Sequence, residues 1–105
     1  MSGKINLHKW NESTDGPLSE ENMEKKLKSM GYSSKQYVYQ PGTIFPRHTH
    51  SQTTIDAITS GKFEMKMFDE TLVMVPGDMV EVPKNAIHNS RVVGNEPVTF
   101  FDSSK

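Results

Sequence analysis

Three histidines are the residues of this chain whose type and spacing are best suited to chemistry. His48 and His50 are two residues apart, and His88 ends a second segment built from a turn, a short apolar run and another turn. Neutral imidazole is the commonest metal ligand in proteins, and residues i and i+2 of a strand face the same side. The spacing therefore predicts that His48 and His50 hold one metal ion together. A fold that returns the second segment beside the first would add His88.

The rest of the composition narrows the chemistry. The chain has no cysteine, which excludes disulfides, thiolate ligands and thiol nucleophiles. Its net charge of -1 gives no electrostatic footprint for nucleic acid or an anionic membrane. No apolar stretch is long enough for a signal peptide or a transmembrane helix. We therefore expect a cytoplasmic protein whose partner is a small molecule.

Length and hydropathy indicate one small domain with an unpacked start. The chain has 105 residues, enough for one core, and only 33% of them are hydrophobic. Residues 1–17 are polar, lack alternation and contain a run of loop-forming residues. We predict a flexible N-terminal segment over 1–17 and a single folded domain over 18–105.

One short helix is predicted near the start of this domain. Ser19 is a suitable N-cap, acidic residues follow it, lysines crowd the other end, and Gly31 is a plausible stop. Met23, Leu27 and Met30 recur at helical spacing and would dock the helix on a sheet.

From residue 36 onward the pattern changes to short strands separated by turn residues. Residues 62–68 and 71–75 are predicted to form a hairpin over Asp69-Glu70. About eight short strands without a second helix favour an antiparallel all-β barrel or jelly roll.

Glycine and proline recur at fixed distances from the histidines. The first such segment comprises Gly42, His48-Thr49-His50 and Gly61, and the second comprises Gly77, Pro83-Lys84-Asn85 and His88. In this order the two segments resemble the two motifs of the cupin superfamily. The resemblance extends over roughly residues 37–101, and the helix before it is also similar to small single-domain bacterial cupins.

The resemblance implies the fold and the cofactor. It implies an all-β jelly-roll barrel, or double-stranded β-helix, with one short N-terminal helix. It also implies one divalent metal ion in the wider mouth of the barrel, with His48, His50 and His88 as ligands. Iron, manganese, nickel and zinc all remain alternatives. Such cupins are often dimers. The alternate residues Thr53, Ile55, Ala57 and Thr59 form a β-rich face that could pack on a second sheet or on the partner of a homodimer.

The chain departs from the motifs at two positions. Thr54 stands where the family's usual glutamate ligand would fall, and Asn85 replaces the usual glycine of the second motif. The metal is then held by three histidines and water, or it recruits oxygen from Gln52 or Asp56. A regular strand would place both of these, and Thr54, on the same face as His48. So polar a face is costly to bury, which favours an interior cavity.

Three hypotheses for function follow. The first is an enzyme similar to the three-histidine ferrous dioxygenases among cupins, with Gln52 or Thr54 positioning substrate or water. A zinc hydrolase or lyase is a variant of this class. The second is a module that binds or senses a small ligand without turnover, because no general base other than the ligands is evident. The third is a barrel without metal. Catalytic residues cannot be assigned at this level.

Overall fold

A computed structural model describes residues 4–105 of the chain, and residues 1–3 lie outside it. The described part contains nine strands and two helices. In chain order these are β1 (Asn6–His8), α1 (Glu12–Asp15), α2 (Glu20–Ser29), β2 (Ser33–Tyr39), β3 (Ile44–His48), β4 (Thr54–Ser60), β5 (Lys62–Met67), β6 (Glu70–Met74), β7 (Met79–Val82), β8 (His88–Val93) and β9 (Val98–Ser104).

The strands form two antiparallel sheets. The five-stranded sheet has the order β1-β7-β4-β9-β2, and the four-stranded sheet has the order β3-β8-β5-β6. Most neighbours are distant in sequence, as in a jelly roll. The predicted closed barrel is not observed, because the strands at the edges of one sheet pair with no strand of the other among residues 4–105. The prediction of a mainly β fold with antiparallel sheets is confirmed.

Apolar side chains of both sheets form the larger of two buried clusters. Its buried members are Ile58, Phe63, Met65, Met67, Met74, Val80, Val82, Val92, Val98 and Phe100. Three of them are methionines, whose flexible side chains fill irregular gaps. Each such side chain contributes about 1.5–3 kcal/mol on burial. Two residues of this core, Phe63 and Phe100, also line a cavity.

Helix α2 forms as its sequence predicts. The Ser19 hydroxyl accepts a hydrogen bond from the backbone N–H of Asn22 at 3.0 Å, which satisfies one of the free N–H groups of the first turn. Met23 and Leu27 are fully buried. The chain leaves the helix through Gly31, which has a φ of +91° that favours glycine.

This helix covers the face that was predicted to be available to a partner. Ile55 and Ala57 are 1% and 0% exposed. They belong to a second apolar cluster together with Met23, Leu27, Tyr32, Met79 and Phe101. The β-rich face is therefore not available to a partner, because helix α2 of the same chain buries it. The homodimer itself stays a prediction.

The N-terminal segment contains regular elements where the sequence predicted none. Strand β1 pairs with β7 at the edge of the five-stranded sheet. Trp10 packs against the second cluster, and its Nε1 donates to the carbonyl of Gly16 at 2.9 Å. A Cβ at Gly77 would lie 2.8 Å from the Cβ of Trp10, so this glycine makes room for the tryptophan. A strand of three residues is too short to show an alternation of apolar and polar residues in the sequence. Pairing with β7 is what makes β1 a strand. The boundary at residue 17 stays a prediction.

The hairpin between β5 and β6 turns one residue earlier than predicted. Its central residues are Phe68 and Asp69, with φ of +56° and +61°. Positive φ at both positions is typical of the type I′ turn, whose twist matches that of the strands. Met67 and Glu70 close the pair on either side. The hairpin is confirmed and its turn is corrected.

None of the helices within residues 4–105 is long and apolar enough to cross a membrane.

Candidate metal centre

The three histidines converge, as the sequence predicted. The ring centroids of His48 and His88 are 4.2 Å apart, those of His48 and His50 4.8 Å, and those of His50 and His88 5.0 Å. One potential ligand nitrogen from each ring lies within 4.8 Å of the other two. Metal–nitrogen bonds are about 2.0–2.1 Å long, so nitrogens as far apart as 4.8 Å would have to move closer together to share one ion. We call His48, His50 and His88 the histidine cluster.

Two different mechanisms bring these rings together. His48 and His88 are directly opposite each other in the antiparallel pair of β3 and β8. His50 lies beyond the end of β3, so the prediction that it shares a strand with His48 is wrong. The backbone carbonyl of His50 instead accepts a hydrogen bond of 2.8 Å from the N–H of Asn85. This bond ties the chain after β3 to the turn that leads into His88.

Hydrogen bonds select the nitrogen that each ring offers. The Nδ1 of His48 is 2.6 Å from the carbonyl of Pro46, and the Nδ1 of His88 is 3.0 Å from that of Ala86. A carbonyl only accepts, so in the neutral rings we assign the proton to Nδ1. The Nε2 lone pair of both rings is then free for a metal ion. Such bonds on the remote nitrogen are the usual way to orient a histidine ligand.

A bulge in β3 explains which residues of this strand face inward. Phe45 pairs with Ser90 and His48 pairs with His88, so three steps on β3 match two on β8. The extra residue changes the alternation, and both Phe45 and His48 line the same cavity. Pro46 lies within the bulge. Proline has no backbone N–H, and it is tolerated there because a bulged residue does not pair with the neighbouring strand.

Burial favours the neutral form of His88. The residue is 2% exposed. Burial is the main cause that lowers the pKa of His88 below its ordinary value, and the neighbouring His48 and His50 lower it further. The unprotonated imidazole that a metal requires is thus favoured before any metal binds.

A small cavity opens beside the cluster. Its volume is about 170 Å³, less than that of most sites for drug-sized ligands. We call it the site cavity. Its lining residues are Tyr39, Phe45, His48, His50, Asp56, Phe63, His88, Ser90, Phe100 and Asp102. The aromatic members contact one another, with ring centroids of Phe63 and Phe100 4.9 Å apart and those of Tyr39 and Phe45 also 4.9 Å apart.

Two carboxylates face the histidines across this cavity. Asp56 on β4 is directly opposite Asp102 on β9, and both line the site cavity. Asp56 is 8% exposed. Burial raises the pKa of Asp56 to about 8, and the negative charge of Asp102 contributes to the increase. We call these residues the carboxylate pair.

The other predicted oxygen donors lie elsewhere. Gln52 is exposed in the segment between β3 and β4, and Thr54 is buried outside the site cavity, where its Oγ1 has no hydrogen-bond partner. The expected single polar face does not form, because β3 and β4 belong to different sheets. Asp56 alone of these three faces the site cavity. The potential ligands that cluster within residues 4–105 are the three histidines, without a carboxylate.

Sequence reasoning missed several residues of the cavity wall. Tyr39, Phe100 and Asp102 are the most important of them. Alternation along β9 places Phe100 and Asp102 on one face. The signal is ambiguous because Phe101, on the opposite face, is also aromatic and buried. Only the packing of α2 against that opposite face distinguishes the two.

Comparison with known proteins agrees with this geometry. The family model described as a cupin domain matches residues 36–104, about two thirds of the chain. The chain belongs to the cupin family. Its histidine cluster and site cavity lie within the matched residues. No curated protein sequence matches this cupin.

Solved structures with the same fold come from several organisms. KdgF from Halomonas sp. is 19% identical, with a TM-score of 0.62 over 70% of this chain and 67% of KdgF. A cupin superfamily protein from Desulfitobacterium hafniense is 13% identical, with a TM-score of 0.62 over 99% of this chain and 79% of that one. Oxalate decarboxylase of Lactobacillus farciminis, in a formate complex, is 25% identical, with a TM-score of 0.63 over 70% of this chain and 24% of the enzyme. At such identities the similarity establishes the fold of this cupin, while its reaction is a separate question.

Proposed function

We propose that this cupin binds one divalent metal ion, preferably ferrous iron, and oxidises a small molecule with dioxygen. The observation that carries the proposal is the convergence of three imidazoles, without a carboxylate among them, at the edge of a small cavity. An open set of ligands on one side of the metal is the arrangement used by non-haem iron oxygenases.

The donor set fits such an ion. His48, His50 and His88 would hold it through ring nitrogens, and neutral ligands leave its full positive charge in place. Three ligands leave further coordination positions for small molecules. When bound, iron would supply the redox chemistry that activates dioxygen.

The other residues that line the site cavity would bind the substrate and exclude water from it. Tyr39, Phe45, Phe63 and Phe100 keep water away from a substrate held next to the cluster. Ser90 is 5% exposed and can orient a polar group there. The Asp56 carboxyl has a pKa raised to about 8, which suits it to accept or return a proton near neutral pH.

Metal content and oxygen consumption test the proposal. Protein purified without a histidine tag is analysed for metal, reconstituted with ferrous iron and mixed with thiols, diketones or phenolic acids while dioxygen uptake is followed. Dioxygen consumption with one substrate class, and its loss in His48→Ala and His88→Ala, would support the proposal.

His8 provides the matched control. It is the fourth histidine of the chain and lies on β1, outside the cluster. His8→Ala should therefore retain both metal and turnover. Stoichiometric capture of a small molecule that remains unchanged would favour binding without turnover. Absence of bound metal in the untagged protein, and after reconstitution, would reject the metal site.

A further inference from the structure

The carboxylate pair places two acidic side chains side by side on the wall of the site cavity. Asp56 and Asp102 are directly opposite across the β4–β9 ladder. Residues opposite each other in an antiparallel pair have Cβ atoms about 4.5–5.5 Å apart, and like charges there are destabilising. Both side chains line the site cavity; Asp56 is buried there, whereas Asp102 is also exposed to solvent.

Asp56 lacks the partners that a buried acid normally has. It is 8% exposed, and none of the side-chain hydrogen bonds or ion pairs found within residues 4–105 involves it. Asp78 is the useful contrast, with 2% exposure. One oxygen of Asp78 is 2.9 Å from the Nζ of Lys9, and the other accepts from the N–H of Val75 at 2.9 Å. Asp56 is therefore a buried carboxyl group whose oxygens are available for hydrogen bonds to a molecule in the site cavity.

The walls around the pair also suit a cation. Tyr39, Phe45, Phe63 and Phe100 line the site cavity, and the faces of aromatic rings attract cations. Its lining residues include neither lysine nor arginine. The site cavity therefore offers carboxylates and aromatic rings but no lysine or arginine. This environment is complementary to a positively charged organic group.

We propose that the carboxylate pair binds the ammonium group of a small organic amine, whose other end lies at the histidine cluster. This assignment rests on the proposed function for the site as a whole and names its substrate class. A primary ammonium has three N–H donors and can bridge Asp56 and Asp102, and its positive charge favours the ionised form of the Asp56 carboxyl. Calcium or magnesium suits the pair less well, because these ions take about six or more oxygen ligands.

The cavity limits the size of this amine. Its volume of about 170 Å³ is below the roughly 300–1,000 Å³ of typical ligand pockets. The substrate is therefore compact, with an ammonium at one end and a metal-binding donor atom at the other. The distance between the two groups must match that between the carboxylate pair and the histidine cluster.

A test on metal-free protein separates this inference from the metal proposal. Propylammonium and propan-1-ol have nearly the same shape and differ in charge. Each is titrated into chelator-treated protein, while the ring signals of Tyr39 and Phe100 are followed by NMR and heat is followed by calorimetry. We expect propylammonium to bind in the millimolar range and propan-1-ol to bind at least about tenfold more weakly.

Isosteric variants locate the binding site. Asp56→Asn and Asp102→Asn should each weaken propylammonium binding by about tenfold, the loss expected for one charge-assisted hydrogen bond. Glu96→Gln is the matched control, because it removes an exposed charge just before β9. It should leave the affinity unchanged.

Defined results would overturn the inference. Equal binding of propylammonium and propan-1-ol by the unmodified protein would do so, as would full binding in both Asp variants. Binding of propylammonium by protein that takes up no metal would support the amine site and reject the metal site. Metal uptake by protein that binds propylammonium and propan-1-ol equally would support the metal site and reject the amine site.

Discussion

The backbone N–H of Asn85 donates a 2.8 Å hydrogen bond to the carbonyl of His50. This bond joins the two motifs of the family, because Asn85 belongs to the turn before His88 while His50 lies just beyond β3. Asn85 has a φ of +66°, a left-handed conformation that asparagine tolerates better than most residues. The replacement of the family's usual glycine by asparagine therefore leaves the turn intact.

Substitution of Asn85 should separate backbone conformation from side-chain identity. Asn85→Gly keeps the left-handed conformation accessible and should retain zinc affinity and thermal stability within a narrow margin. Asn85→Ala should cost about 1 kcal/mol of unfolding free energy, because a Cβ disfavours this conformation. Alanine keeps the backbone N–H, so the zinc affinity of this variant should fall only as far as residue 85 leaves the left-handed conformation and the hydrogen bond to the His50 carbonyl weakens. Thermal unfolding and zinc titration measure both effects; equal behaviour of the two variants would contradict the explanation.

The glycine that ends the first motif is required by close packing. Gly61 has a φ of +82°, and a Cβ there would lie 2.5 Å from the carbonyl oxygen of Pro97. Gly94 has a φ of +81°, but a Cβ added to it would meet nothing within 4 Å. Both alanine variants bear the left-handed strain, and only Gly61→Ala adds a clash with backbone. We expect Gly61→Ala to lose about 1–3 kcal/mol more than Gly94→Ala in urea unfolding. Equal losses of unfolding free energy in the two variants would show that the left-handed conformation alone accounts for glycine at position 61.

Local patterns predicted α2, the strand-rich region from residue 36 and the histidine cluster, but missed β1 and α1. Long-range register determined the cavity. Ser19 and Gly31 mark the ends of α2 because capping depends on neighbours in sequence. The motifs around His48 and His88 likewise indicate residues that converge. The pairing of Asp56 with Asp102 joins positions 46 residues apart, and no local signal in either strand specifies it.

The failed prediction for Gln52 has a similar origin. Alternation assumes one unbroken strand, and this assumption places Gln52 on the face of His48. The chain instead leaves the four-stranded sheet after His48 and enters the five-stranded sheet at Thr54. Gln52 lies in the crossing and is exposed. Periodicity cannot reveal where a chain changes sheets.

The lowered pKa of His88 predicts a loss of stability in acid. Its ordinary value is 6.5, and the folded protein holds the ring neutral to lower pH. Below pH 6.5 the unfolded chain therefore binds a proton that the folded chain does not, and the free energy of unfolding falls as the pH falls. In metal-free protein, His88→Gln should show a shallower decline between pH 6.5 and 5 in denaturant unfolding. If His88→Gln leaves the decline in unfolding free energy unchanged, titratable groups other than His88 cause it.

The raised pKa of Asp56 predicts the opposite trend at higher pH. Its ordinary value is 3.8, and the value in the folded protein is about 8. Between these limits the folded chain binds the extra proton, so the contribution of Asp56 to stability falls as the pH rises, by up to about 1.4 kcal/mol per pH unit. Above pH 8 both states are ionised and the loss is complete.

Asp56→Asn isolates this contribution, because asparagine has nearly the same shape and cannot ionise. In protein free of metal and amines, the variant should gain stability over the unmodified chain as the pH rises from 4 to 8, and the difference should then stay constant. Urea unfolding across this range measures it, with Glu96→Gln as the exposed control that shows no such trend. Addition of propylammonium at pH 8 should shrink the difference, since a cation beside Asp56 stabilises the ionised carboxylate of the unmodified protein. A difference that stays flat from pH 4 to 8 would mean that Asp56 ionises in the folded protein as readily as in water.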